Sequence, residues 1–181
     1  MVTVVGGQDP GILNSTVSIG DLNGASKAGV KDQGSAIYVN AANSNVIYSS
    51  EDSFFVRNGD DFSLVRTYNS QGEFADQSRL GGKGRWRLSS AISLSQKSDG
   101  GEVYYEVVYG DGSVFDFRWN ADSGQYESPD GQGAFEVLVE QMGPDGSVTG
   151  FKVLRSDLRE LSFNVSGQLT RSEDNNGNYV D

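Results

Sequence analysis

The chain contains no cysteine and no histidine. Disulfides, Cys/His zinc sites, Ser-His-Asp triads and Cys-His dyads are therefore excluded within it. Proline is nearly absent, with 3 residues, whereas glycine reaches 24. That balance suits many short strands joined by glycine turns and argues against long helices. Long apolar runs are missing: no stretch approaches the roughly 20 residues of a membrane span. The opening Met1–Val5 is too short, and lacks the basic flank, for a signal peptide. No membrane insertion is expected, and an export signal, for an exported chain, is expected outside these residues. Positive charge is scarce, 14 basic against 25 acidic residues, for a net charge of −11. Such a surface repels phosphate backbones and anionic lipid, so nucleic acid is not an expected partner. It suits solubility, and it also suits divalent cations.

What is present has the material of a β protein. The 181 residues allow one domain, or one domain with a tail. Hydrophobic residues make up only 36%, but 9 Phe, 8 Tyr and 2 Trp can fill a core. Residues 1–34 are rich in Gly, Ser and Asn and read as a linker or edge segment, with weak strand candidates at Thr3–Val5 and Ser15–Ile19. Residues 35–181 read as one β-rich domain. Within it, alternation places Phe62, Leu64, Arg66 and Tyr68 on one face, with Ser63, Val65 and Thr67 on the other. Trp86, Leu88, Ile92 and Leu94 share a face opposite Arg85 and Arg87. Val103, Tyr105, Val107 and Tyr109 alternate likewise, and Phe115, Phe117 and Trp119 return after the turn Gly110–Ser113. Phe135, Val137 and Val139 alternate with Glu136 and Glu140 before a second hairpin turn at Gly143–Ser147. Strands recur about every ten residues and no segment sustains a 3.6 period. The expected fold is all-β: an antiparallel meander of hairpins forming a curled sheet or a sandwich, with little or no helix.

Several stretches, taken in order, resemble the region that precedes the repeats in bacterial RHS (YD-repeat) proteins. They are VNAANSNVIYSSEDSFFVRNGDDFSLVRTYNS, GKGRWRLSS, YGDGSVFDF, YESPDGQGA and LSFNVSGQLTRSEDNNGN, together covering about residues 37–181. Arg66-Thr67-Tyr68-Asn69-Ser70 carries most of the likeness. Arg85 stands between Gly84 and Trp86, where the family has Gly-Trp directly, and the full tyrosine-aspartate repeats are missing. The resemblance implies a sheet that curls into a shell, within a large secreted or cell-surface bacterial adhesin or toxin. It also implies a longer chain, whose remainder would be the main partner.

Candidate sites are few. Arg66 among apolar neighbours has two readings. It lies on Tyr68 or Trp86 and pairs with a carboxylate, fixing strand register. Alternatively, Arg66, Tyr68 and Asn69 form a polar pocket for a sugar or an acid. Asp174, Asn176 and Asn178 place oxygens at alternate positions, with Asp181 following, as in a calcium loop. Yet the glycine is at the fourth place and no glutamate closes the loop, so a hairpin turn explains the same residues. The acidic turns at Asp60-Asp61 and Asp111 are weaker candidates. No cofactor is expected, with calcium as the alternative. Trp86, Trp119, Tyr104, Tyr105, Tyr109 and Tyr126 could form a glycan platform, but aromatics on alternating strands belong more often to a core. Coplanar exposed rings would mark the platform. Glu102, Glu106, Glu136 and Glu140 have the chemistry of glycoside hydrolysis, but read as the solvated face of a sheet. Gly81–Gly84 lacks phosphate-loop spacing. The expectation is a non-catalytic structural module, with a carbohydrate- or surface-binding adhesin module as the alternative.

Overall fold

A computed structural model describes residues 16–21, 35–40, 44–55, 62–70, 86–128 and 136–181. The described residues form antiparallel β-sheet and no helix, so the chain is all-β. The candidates at Thr3–Val5, Asp60-Asp61, Gly81–Gly84, Arg85 and Phe135 lie outside the described residues.

Two compact units are present. The first holds a five-stranded sheet of β1 (Thr16–Asp21), β2 (Ala36–Asn40), β3 (Asn45–Phe55), β4 (Phe62–Asn69) and β5 (Trp86–Leu88), each pairing with its sequence neighbour. The second holds a nine-stranded sheet, also in sequence order. Its strands are β6 (Ser93–Asp99), β7 (Glu102–Val108), β8 (Val114–Asn120), β9 (Gln125–Glu127), β10 (Val137–Met142), β11 (Val148–Leu154), β12 (Glu160–Asn164), β13 (Leu169–Glu173) and β14 (Tyr179–Val180).

The larger sheet is strongly curled. Tyr105 on β7 and Phe151 on β11 stand four strand steps apart in the sheet, yet their ring centroids are 5.0 Å apart. A flat sheet would separate those strands by roughly 19 Å. The curl is latched where β6, an edge strand, meets the β12–β13 turn. There the Leu94 amide donates to the Gly167 carbonyl at 2.9 Å, and Ser93 bridges to Gln168. The concave face is filled by Leu94, Val107, Phe117, Leu138, Phe151, Val153, Leu161 and Phe163, all at most 7% exposed.

One local device recurs along the ladder. The turns Tyr109–Ser113, Gly143–Ser147, Arg155–Arg159, Asn164–Gln168 and Asp174–Asn178 close alike. In each, the first amide donates to the fifth carbonyl and the fourth amide to the first carbonyl. The fourth residue takes a positive φ, between 65° and 85°, and is glycine in every case but Leu158. Only glycine adopts that conformation without a steric penalty. Short polar side chains complete the turns. Asp111, Asp145 and Asp157, at the third place, accept from the fifth amide at 3.0–3.1 Å. Asn164 and Asp174, at the first place, accept from both the third and fifth amides at 2.8–3.0 Å.

Two faces are reversed from their expected sense. In β5, Trp86 is 40% exposed and Arg87 is 8% exposed. At β10, Leu138 (1%) and Glu136 just before the strand (3%) face inward while Val139 is 39% exposed. Alternation states which residues share a face, but not which face turns inward. Both reversals are sustained by partners for the buried charge. The Arg87 guanidinium donates to the Ala91 carbonyl, and Glu136 pairs with Arg155 at 3.4 Å. A buried charge without such partners would be prohibitive.

Candidate functional site

The residues singled out on the smaller sheet divide between its two faces. Register aligns Tyr48 with Tyr68 and Tyr68 with Trp86. The three rings pack edge-on or tilted, at 5.9 Å and 5.4 Å from Trp86. Arg66 lies 5.4 Å from the Trp86 ring centre and 2.8 Å from the Asp52 carboxylate. Asp52 sits where the β3–β4 register shifts, which aims its side chain out of the ladder. The arginine side chain is 52% exposed, so this pair is worth about 0–1 kcal/mol. The structure thus brings Arg66, Tyr68 and Trp86 together. Asn69 lies on the opposite face, fully buried, beside Ile47 in register. That face is unusually polar inside: Asn40, Asn45 and Asn69 are each 0% exposed and Thr67 is 4% exposed.

The proposed calcium loop has the geometry of the recurring turn. Asp174 accepts from the amides of Asn176 and Asn178 and from the Asn178 side chain, all at 2.8 Å. Asn164 accepts the corresponding backbone amides in the preceding turn without any charge. Those hydrogen bonds, the Asn178 side chain first, hold the Asp174 carboxyl below its ordinary value. Asp181 is engaged elsewhere: Arg171 donates to it at 2.7 Å and 3.3 Å, and the same guanidinium lies 3.9 Å over Tyr179. Among the described residues, no three acidic side chains converge in a way that could hold a metal.

The four glutamates also separate. Glu102 and Glu106 lie on the outer face of β7, Glu106 with Lys97 at 3.4 Å and Glu102 with Arg118 at 3.5 Å. Glu136 and Glu140 lie on the concave face with Leu138, contrary to the expected solvated side. Alternation in Val137-Leu138-Val139 cannot choose between faces, because all three are apolar. Glu136 is buried against Arg155. Glu140 is half-buried and accepts from the Tyr105 hydroxyl at 2.5 Å. Beyond Tyr105 the rings continue in contact: Tyr126 at 5.0 Å and 79°, then Trp119 against Tyr126 at 5.1 Å and 70°. Trp119 is 52% exposed, so neither tryptophan is a core residue. Burial, and then the hydrogen bond to Glu140, pushes the Tyr105 hydroxyl well above its ordinary value. Burial, and then the charge of Glu140, pushes Tyr126 up as well. The rings stand nearly perpendicular, unlike the coplanar pair that a sugar platform requires.

This Glu140–Tyr105–Tyr126–Trp119 run is the most chemically distinctive cluster of the larger sheet. Its members are legible in the sequence one by one, but their meeting depends on the curl. No protein-family model, curated protein or solved structure matches the chain.

Proposed function

We propose that this chain is a non-catalytic structural module of a large secreted or cell-surface bacterial protein, an RHS-like β-sheet scaffold of an adhesin or a toxin. The observation that supports this most is the larger sheet: a ladder of hairpins that reuses one turn and fills its concave face with its own side chains. A core of that kind carries shape and load without a ligand. The ordered resemblance around Arg66–Ser70 points the same way. The remainder of the longer chain is the partner.

Pulling single molecules by their two ends tests the role. The larger-sheet unit is expected to resist and then open in one cooperative event. Extension without a force peak overturns the load-bearing role, and turnover of chromogenic glycosides overturns the non-catalytic one.

One observation favours a second reading, a carbohydrate- or surface-binding adhesin module. Trp86 and Trp119 are 40% and 52% exposed. Binding on a glycan panel that disappears in Trp86→Ala or Trp119→Ala would establish it. Loss of that binding in chelator would add calcium to the reading.

A further inference from the structure

Glu136, just before β10, and Glu140, within it, face the same concave side, but their surroundings differ. Glu136 has Arg155 as its counter-charge. Glu140 has no ion-pair partner among the described residues; it accepts from the Tyr105 hydroxyl, and the Tyr105 ring lies 5.0 Å from that of Tyr126. A half-buried carboxylate of this kind has a neutral hydrogen bond but no counter-charge, and an incoming cation would supply it.

The chemistry of the neighbours narrows the ligand. Calcium needs six to eight oxygens, and one carboxylate cannot provide them. A sugar prefers to stack on coplanar rings, whereas these planes differ by 79° and 70°. Rings set at steep angles beside one carboxylate suit a single positive charge with an apolar skin, which gains from both the quadrupoles and the anion. The net charge of −11 raises the local concentration of any cation. The exposed face of Trp119 leaves the outer end of the run open to solvent.

We propose that the Glu140–Tyr126–Trp119 end of the curled sheet binds a small alkylammonium cation, its charge against Glu140 and its methyl groups against the rings. The site is independent of the scaffold role.

Isothermal titration calorimetry of the whole chain tests it, with tetramethylammonium chloride as probe. Sodium chloride at equal ionic strength and neopentyl alcohol, a soluble neutral compound with the same branched apolar skin and one added hydroxyl, are the controls. The expected result is saturable binding of tetramethylammonium alone. Affinity should fall about tenfold in Glu140→Gln, which keeps an acceptor for Tyr105 but removes the charge. Trp119→Ala, at a half-exposed ring, should weaken binding several-fold and serves if Glu140→Gln does not fold. Absence of saturable binding, equal binding of neopentyl alcohol, or full affinity in either folded variant overturns the proposal.

Discussion

Replacing Gly167 by alanine tests what latches the curl of the larger sheet. Gly167 and Gly146 occupy the same place in the same turn, with φ of 73° and 76°. Their surroundings differ. A methyl group on Gly146 meets nothing within 4 Å, whereas one on Gly167 falls 2.8 Å from the Leu94 carbonyl carbon and closer still to its oxygen. Alanine at either site pays the left-handed penalty of about 1–2 kcal/mol. Reduced freedom of the unfolded chain returns about 0.4–1 kcal/mol of that. Gly146→Ala should therefore destabilise by about 1 kcal/mol. Gly167→Ala must also displace β6, straining or breaking the bond from the Leu94 amide to the Gly167 carbonyl. A lost backbone hydrogen bond contributes about 1 kcal/mol, and overpacking about another 1–3 kcal/mol. The expected total for Gly167→Ala is about 3–5 kcal/mol. Urea unfolding of the two variants, followed by far-UV circular dichroism, reads the difference. Equal destabilisation would show that the β6–turn contact contributes nothing to holding the curl.

Leu158 occupies the glycine place of its turn at φ 65° and is 68% exposed, so Leu158→Gly should stabilise the protein. The gain is about 0.5–1 kcal/mol, read as a higher melting temperature; a lower one would refute the steric account. Arg66→Ala removes the Asp52 pair and the contact with Trp86, and should destabilise by about 1 kcal/mol. An unchanged melt would show that Arg66 does not hold the strand register. Folding raises the Tyr105 hydroxyl above its ordinary value of 10.0, so the folded state keeps a proton that the unfolded chain releases. Stability from this group is whole below pH 10 and falls as pH rises towards the folded value, and Tyr105→Phe should flatten that alkaline decline. Asp174 is depressed below its ordinary 3.8, so its contribution is present above that pH and disappears as pH falls through the folded value. Asp174→Asn should keep the turn, as Asn164 does, and remove this acid sensitivity in the hydrogen exchange of the Asn178 amide. Melts in calcium and in chelator should coincide, and a large upward shift with calcium would mean the acidic turns bind it after all.

Strand β8 and the hairpin turns show what was legible and what was not. Alternation in Phe115-Asp-Phe117-Arg-Trp119 places all three aromatic residues on one face, and they do share it. Their exposures nonetheless run 8%, 0% and 52%, because burial depends on what the curled sheet brings opposite each ring. Turn sites followed directly from sequence. Asp-Gly and Asn-Gly pairs mark places where the chain needs a positive φ and a short side chain to accept an amide, and both requirements are local. The turn at Leu158 carries no glycine, so its close likeness to the others emerges only from the backbone.

The sequence by itself determined the β class, the absence of helix among the described residues, the hairpin turns, and which side chains share a face. Those features depend on neighbours within a few residues, through steric limits on φ and the two-residue repeat of a strand. The tertiary structure decided which face of β5 and of β10 is inward, and how sharply the larger sheet curls. It also decided that Glu140 meets Tyr105 across 35 residues of chain. Period-2 alternation is symmetric between faces, so the inward one is selected only by the partners available to its charges and by the volume the core must fill.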